Sequence, residues 1–273
     1  MEHHQLKDLT IELFQRCVEK VDFEAGLAMQ AYLRSGVEDA RRMVEWARRA
    51  KKTVSVRLVK GAYWDAETIK AELNGWPAPV WGAKWETDRC FEQMTEVFLD
   101  ACPRARGEAG VKLALGSHNV RSIAAALAGL ESRGLPRNAV ELQMLHGMAD
   151  QLKFAASEMG LRVREYVPVG EMIPGMAYLV RRLLENTSNE SWLKAGFMDN
   201  ADVASLLRRP APPERKPAER EPHGGRHANE YDDRKVGTEK FVHAPNIPSW
   251  PVGRRLIARW WDCDVSVKPA PPR

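Results

Sequence analysis

The apolar and polar positions of this chain predict alternating strands and helices between residues 8 and 185. Short apolar stretches, typical of strands, alternate with longer stretches in which apolar residues recur every three or four positions, as in helices. The predicted strands are Gly26–Leu33, Val54–Val59, Val111–Gly116, Val140–Leu145 and Leu161–Val167. The predicted helices are Asp8–Glu19, Val37–Lys51, Asp65–Asn74, Glu86–Ala101, Arg121–Arg133, Ala149–Met159 and Pro174–Glu185. Such an alternation indicates βαβ units, and therefore a parallel sheet whose faces are both covered.

The stretch Val54–Trp64 (VSVRLVKGAYW) stands at the centre of this pattern. Its first six residues alternate between two faces, as expected of a strand. Arg57 interrupts the apolar run and Lys60 ends it, and a buried base is costly unless it meets an anion or a ligand. Gly61 permits a tight turn or the close approach of a ligand. The alternative is an edge strand that carries two solvated bases.

Polar residues or glycines follow the predicted strands at their C-terminal ends. They are Lys60-Gly61, Ser117-His118-Asn119, His146-Gly147 and Val169-Gly170. A (β/α)8 barrel places its active site on this face, and a doubly wound sheet does so too. The motifs GxGxxG and GxxxxGK[ST] are both absent, which counts against a Rossmann or P-loop site. The predicted fold class is α/β.

Charge and proline content divide the chain near residue 205. Residues 206–273 contain 14 Lys or Arg and 9 Asp or Glu, so they carry +5, whereas the whole chain carries +4. Eleven of the 17 prolines also lie between Pro210 and Pro272. We therefore predict a folded region, 1–205, and a Pro-rich basic tail, 206–273, that is largely disordered. No motif in the tail indicates a nucleic-acid partner.

Cysteine usage and the absence of targeting signals indicate a cytoplasmic protein. The four cysteines are scattered, without a CxxC pair and without histidines at metal-binding spacing. This argues for a reducing compartment and against disulfides, and no metal site is expected. The sequence also lacks an 18-residue apolar run and a signal-peptide pattern at its start.

Seven polar residues at or near the strand ends are candidates for chemistry. They are Gln30, Arg57, Lys60, His118, Asn119, Gln143 and Tyr166. Few carboxylates and no nucleophile with an adjacent base occur among them, which disfavours a glycosidase pair and a Ser-His-Asp triad. The set favours a site for a flat, anionic ligand held by many hydrogen bonds. A Schiff base on Lys60 is the competing chemistry.

The last predicted helix carries two adjacent arginines. Arg181 and Arg182 are about 100° apart around the helix axis, so both can face one cavity in part. Glu185, three residues after Arg182, is placed to pair with it. The two arginines indicate either a clamp for a ligand carboxylate or a solvated basic helix end.

Several longer motifs resemble those of one enzyme family. They are RLVKGAYWD (Arg57–Asp65), SHN (Ser117–Asn119), ELQMLHGM (Glu141–Met148), YVPVG (Tyr166–Gly170) and YLVRRLLEN (Tyr178–Asn186). Their order and spacing are similar to those of flavin-dependent proline dehydrogenases, most of all to the dehydrogenase domain of bacterial bifunctional proline-utilisation flavoproteins. The resemblance covers about residues 6–195.

The resemblance implies a (β/α)8 (TIM-like) barrel with FAD at the C-terminal ends of the strands. It also implies oxidation of L-proline to Δ1-pyrroline-5-carboxylate in proline catabolism, by hydride transfer from proline C5 to flavin N5, with a quinone as electron acceptor. Arg57 would lie near flavin N5 and O4. The other flavin-binding residues would be Gln30 and Gln143 at the isoalloxazine, and Lys60, Gly61, Ala62, Trp64, Thr87, His118, Asn119 and Glu185 along the rest of FAD.

The resemblance also assigns the residues around the substrate. Arg181 and Arg182 would clamp the proline carboxylate, and Tyr63, Leu145 and Tyr166 would form the wall around the pyrrolidine ring. Arg57, Tyr166, Arg181 and Arg182 would thus be the catalytic residues. Tyr166 favours proline over hydroxyproline.

The chain departs from the family pattern in its strand count. Five strands are predicted where the family has eight, and Gln30 falls on what corresponds to the fourth family strand. We therefore expect a truncated barrel of about five C-terminal β/α units, with an open edge that another chain could complete. The alternative is a non-catalytic remnant or partner-binding module. The resemblance also allows a peripheral contact with the inner face of the membrane.

Overall fold

The computed structural model of the 273-residue chain describes residues 3–171, 173, 175, 176, 178–180 and 203–212. All of them belong to one unit of the chain, Met1–Arg215. Three predicted site residues, Arg181, Arg182 and Glu185, lie outside the described residues, as does the predicted tail from residue 213 onwards.

The described elements alternate as the apolar pattern predicts. The strands are β1 (Gly26–Gln30), β2 (Thr53–Val59), β3 (Gly110–Gly116), β4 (Val140–Leu145) and β5 (Arg162–Tyr166). The helices are α1 (Lys7–Lys20), α2 (Gly36–Arg49), α3 (Trp64–Leu73), α4 (Lys84–Leu99), α5 (Val120–Ser132) and α6 (Asp150–Glu158). Short 3-10 turns occupy His4–Leu6 and Arg137–Ala139, and Val203–Leu206 forms one further helical turn. Among the described residues, no helix has the length and apolar character needed to cross a membrane.

The five strands form one parallel sheet in the order β1-β2-β3-β4-β5. The predicted first strand, Gly26–Leu33, is too long, because the chain turns out of the sheet after Gln30 and Leu33 instead forms an isolated antiparallel bridge with Val80. The strand order never reverses, which distinguishes this sheet from a doubly wound one. Within the described part of the chain, β1 and β5 each pair on one side only.

One face of the sheet forms the core of the protein. Val54, Val56 and Leu58 of β2 are buried in a cluster that includes Phe91 and Phe98 of α4. Their burial follows from the period-2 pattern of β2, which turns every second side chain to the same side. Helices α2 and α4 cover this face, and the apolar area removed from water there is the main stabilising contribution.

The opposite face of the sheet is polar, so the expectation that both faces are covered is wrong for the described residues. We call this surface the open face; its side chains belong to Ser55, Arg57, Lys112, Glu141, Gln143, Arg162 and Arg164. Right-handed crossovers between strands that progress in one direction place every helix on the same side. The polar residues at every second position are consistent with this, because strands covered on both faces read as continuous apolar runs.

A buried ion pair joins the first two helices. Lys7 of α1 and Asp39 of α2 are only 4% and 3% exposed, and Lys7 Nζ lies 2.6 Å from Asp39 Oδ2. Burial alone would raise the pKa of Asp39, but hydrogen bonds from Lys7, Ser35 and Arg42 hold it below its usual range. The pair therefore stabilises the contact between α1 and α2 while Asp39 is ionised.

Candidate active site

The predicted site residues on the described strands gather at the C-terminal half of the open face. The register aligns Gln30 of β1 with Val59 of β2, and Val59 with Gly116 of β3. Gln143 of β4 aligns with Arg164 of β5, and one pleat further Leu145 aligns with Tyr166. The predicted site residues of these strands therefore lie at neighbouring levels of the open face. They are Gln30, Arg57, Gln143, Leu145 and Tyr166.

Arg57 lies on this surface because Gly116 leaves room for it. A Cβ atom added at Gly116 would lie 3.3 Å from Arg57 Nη2 and 3.4 Å from Arg57 Cζ. It would also lie 2.8 Å from Cγ1 of Val59, a distance that real Cβ atoms essentially never show. The absence of a side chain at Gly116 thus allows the Arg57 guanidinium to lie across β3, towards the strand ends.

A groove of about 530 Å³ runs along the ends of β4 and β5, and we call it the upper groove. Arg57, Gln143, Leu145, Tyr166 and Tyr178 line it, so four of the predicted site residues meet in one cavity. The rings of Tyr166 and Tyr178 have their centroids 5.7 Å apart and form an aromatic wall. The groove combines a cation, an amide and an apolar wall, which suits a ligand with a planar ring and polar edges.

Gln143 is held by a charged neighbour on its own strand. Gln143 Nε2 donates a 2.8 Å hydrogen bond to Oε1 of Glu141, two residues earlier on the same face. Arg164 of β5 binds the same carboxylate with two nitrogens, Nε at 2.9 Å and Nη2 at 3.0 Å. This bidentate geometry is the strong form of an Arg–carboxylate pair, and it fixes Glu141 beside the groove.

Lys60 meets an anion from within the chain. Its ammonium contacts the Asp88 carboxylate, which also accepts from Lys84 at 2.5 Å. Burial lowers the pKa of Lys60, and Asp88 opposes this shift only in part. Burial alone would raise the pKa of Asp88, but Lys60 and Lys84 hold it below its usual range. The carboxylate thus neutralises much of the charge that Lys60 would offer a ligand.

Gly61 adopts a backbone conformation that other residues rarely reach, with φ of 132°. The Tyr32 ring approaches so closely that a Cβ at Gly61 would lie 2.4 Å from it. Burial, with a smaller contribution from Glu67, raises the pKa of Tyr32 to about 12. Tyr32 therefore packs as a neutral ring beneath the turn that follows β2, and Gly61 is required there.

His118 and Asn119 already have structural contacts. His118 Nε2 accepts a 3.2 Å hydrogen bond from the backbone N–H of Leu145, which joins the ends of β3 and β4. Asn119 is the N-cap of α5, and its side-chain oxygen accepts from the N–H of Ser122. Both side chains therefore help to hold the ends of β3 and β4 and the start of α5.

The other predicted residues lie around the turn after β2 and do not line the upper groove. Tyr63 precedes α3, with its ring 5.9 Å from the ring of His3. Trp64 begins α3 and donates from Nε1 to the Trp81 carbonyl at 2.7 Å. Ala62 is exposed in the turn, and Thr87 lies in the first turn of α4.

Sequence patterns alone do not identify three residues that shape this site. Asp88 neutralises Lys60, Gly116 makes room for Arg57, and Glu141 holds Gln143. Gly116 and Glu141 stand within or next to quoted motifs, so the period-2 register could have placed both on the open face. Among the described residues, no group of three or more His, Cys, Asp or Glu is placed to hold a metal ion.

Comparisons with known proteins identify the family of the chain. The family model described as proline dehydrogenase matches residues 1–195. The bifunctional protein PutA of Rhizobium meliloti is 37% identical over 155 residues, which are 55% of this chain and 12% of that protein. The bifunctional protein PutA of Escherichia coli (strain K12) is 32% identical over 198 residues, which are 67% of this chain and 14% of that protein.

Solved structures give the same result. The crystal structure of proline utilization A from Bdellovibrio bacteriovorus, inactivated by N-propargylglycine, is 47% identical, with a TM-score of 0.71. That similarity covers 77% of this chain and 22% of that chain, so the chain spans less than a quarter of the length of these relatives. Because the family model matches well over half of its residues, the chain belongs to the proline dehydrogenase family.

Proposed function

We propose that this chain takes part in the FAD-dependent oxidation of L-proline to Δ1-pyrroline-5-carboxylate. The observation that carries the proposal is the upper groove, where Arg57, Gln143, Leu145 and Tyr166 meet at the C-terminal ends of parallel strands. This is the end of a β/α sheet at which binding sites form. Membership of the proline dehydrogenase family supports the choice of substrate.

The residues of the open face fit the isoalloxazine part of FAD. The site offers a cation, Arg57, and two amides, the buried Gln30 and the half-buried Gln143, at neighbouring levels of the sheet. Gly116 adds no side chain between them, which suits a flat ring. The remainder of FAD would be held by Lys60, Gly61, Ala62, Trp64, Thr87, His118, Asn119 and Glu185.

When bound, FAD supplies the hydride acceptor for the C5–H bond of proline. The Arg57 guanidinium would stabilise negative charge that develops beside it. Leu145 and Tyr166 would form an apolar wall on one side of the substrate. Arg181 and Arg182 bind the proline carboxylate as a bidentate clamp, which orients the reacting carbon.

The proposal also covers the electron acceptor, the place in the cell and the unpaired edge of the sheet. A quinone takes up the electrons, and the protein acts in the cytoplasm with a peripheral contact at the inner face of the membrane. In the described residues the sheet has five strands, and β1 and β5 each pair on one side only. This supports an incomplete barrel. The edge of β1 that is unpaired among the described residues is where further barrel strands would pair, and another chain is one source of them.

A proline titration without oxygen tests this function. The chain is loaded with FAD, and the visible flavin band is followed as L-proline is added; we expect the band to bleach. Arg182→Met should weaken proline binding by about 2–5 kcal/mol, because one partner of a desolvated charge pair is lost. A bound flavin that keeps its band at saturating proline would contradict the proposed reaction.

A Schiff base on Lys60 is the second candidate. It is favoured by the burial that lowers the pKa of this amine, since the neutral form is the nucleophile. The contact with Asp88 opposes it by stabilising the ammonium. Borohydride trapping of a carbonyl substrate on Lys60, lost in Lys60→Arg, would favour this chemistry over hydride transfer.

A further inference from the structure

We propose that Glu141 is a positioning residue that fixes the orientation of the Gln143 side-chain amide, so that Gln143 presents its oxygen to the ligand. The ligand group at this position must then be a hydrogen-bond donor. The inference rests on the proposed function for the identity of that ligand, FAD, but the orientation of Gln143 is a property of the chain itself.

The contacts around Glu141 leave one arrangement of the amide. A carboxylate without its proton accepts hydrogen bonds and cannot donate them. Both carboxylate oxygens of Glu141 accept from Arg164, Oε1 from Nε and Oε2 from Nη2, and a guanidinium can only donate. The Gln143 atom that lies 2.8 Å from Glu141 Oε1 must therefore be the NH2 group. The hydrogen bond to Glu141 thus distinguishes the oxygen of the Gln143 amide from its nitrogen.

The other end of Gln143 faces its ligand. Gln143 lines the upper groove, and in the described part of the chain no hydrogen-bond partner is recorded for its Oε1 atom. Glu141 itself is largely removed from solvent, with 12% of its side chain exposed, so water competes little for the carboxylate. Gln143 is therefore preorganised as an acceptor, and a ligand loses no free energy in turning the amide.

This polarity selects one edge of the isoalloxazine ring. The ring carries a single N–H donor at N3, between two carbonyl oxygens, whereas N1, N5 and the carbonyl oxygens are acceptors in the oxidised flavin. An amide that offers its oxygen suits N3–H and disfavours the acceptor atoms.

The orientation can be tested first without any ligand. In the free chain labelled with 15N-glutamine, the Gln143 side-chain NH2 signals are identified by their loss in Gln143→Leu. We expect one of these protons to be shifted downfield by the carboxylate, and the shift to disappear in Glu141→Gln. Lys112→Met is the matched control, because it removes a cation of the open face that does not line the upper groove and leaves Glu141 and its ion pair intact, so the shift should persist. A shift that is absent, or that is unchanged in Glu141→Gln, would overturn the proposal.

The polarity towards the ligand is tested with FAD and 3-methyl-FAD, which lacks the N3–H donor. The ratio of their dissociation constants should be about fivefold to tenfold in the natural chain, the usual range for one hydrogen bond. It should fall towards one in Gln143→Leu and in Glu141→Gln, but not in Lys112→Met. An equal ratio in the natural chain and in Glu141→Gln would overturn this inference alone. Failure of the natural chain to bind FAD would overturn the proposed function and the assignment of the ligand, while the NMR result would still decide the orientation.

Discussion

The two faces of the sheet differ in what they contribute to the protein. The covered face carries aliphatic and aromatic side chains that are almost completely buried, such as Leu58 and Phe98. The open face carries charged and amide side chains, and its ion pairs, such as Glu141 with Arg164, lie at least partly in solvent. Both sets come from the same strands at alternating positions.

Because of this difference, the stability of the fold and the affinity for a ligand can be changed separately on the two faces. Apolar burial on the covered face stabilises the fold, whereas exposed ion pairs contribute little to stability. Residues of the open face are therefore available for a ligand. Substitutions on the covered face should mainly change the free energy of unfolding. Substitutions on the open face should mainly change ligand affinity.

The largest effect on stability is expected for Phe98→Ala on the covered face. Phe98 is 0% exposed, and truncating such a side chain leaves a cavity that costs about 3–5 kcal/mol. Phe154→Ala is the matched control, because Phe154 is 69% exposed on α6 and its loss should change stability by roughly 0.5 kcal/mol or less. Urea unfolding followed by circular dichroism measures both, and equal costs would contradict the assignment of the core.

A somewhat smaller effect, about 3 kcal/mol at neutral pH, is expected for Asp39→Asn, since Lys7 loses its buried anion and keeps only the exposed Asp8 carboxylate, 3.2 Å away. The pKa of Asp39 is lower in the folded chain, so its contribution to stability is present above the unfolded pKa of about 4 and is lost as the pH falls through the folded pKa. The gap between the natural chain and the variant should therefore narrow below about pH 4. Glu38→Gln, which changes only an exposed pair with Arg41, is the control; a gap that stays constant with pH would contradict the role of Asp39.

Gly116→Ala should affect both properties. The added methyl group meets Val59 and the tip of Arg57, and we expect a stability loss of about 1–3 kcal/mol from overpacking. Displacement of Arg57 should also weaken FAD binding by about tenfold, the loss of one charge-assisted hydrogen bond. Gly26→Ala on the same face is the control, because its Cβ would make only ordinary contacts at 3.5 Å. FAD affinity that is equal in the two variants would contradict the role of Gly116.

The sequence predicts the order of the elements well, because each helix and strand has a clear apolar period. Helix α5 and strand β4, for example, lie within one residue of the predicted bounds. The end of β1 was wrong by three residues, since the apolar run continues through Leu33 although the chain has left the sheet. Local apolar pattern does not distinguish a strand from a buried turn.

The site was predicted less completely, because its details depend on contacts between distant elements. The family motifs bring Arg57, Gln143, Leu145 and Tyr166 to one groove, as the register of parallel strands allows. That Lys60 is neutralised by Asp88 depends on how α4 packs beside β2, which no local pattern encodes. The covering of only one face likewise depends on the strand order, which appears only in the folded sheet.

The most direct test of the separation between the two faces is FAD titration of the natural chain and of Arg57→Met, with urea unfolding of both. Lys112→Met, another cation of the open face that does not line the upper groove, is the control. We predict that the natural chain and Lys112→Met bind FAD alike. Arg57→Met should bind about tenfold to a hundredfold more weakly, with stability unchanged within roughly 0.5 kcal/mol. FAD affinity that is unaffected by the loss of Arg57, or no binding by the natural chain, would contradict the assignment of the open face as the binding surface.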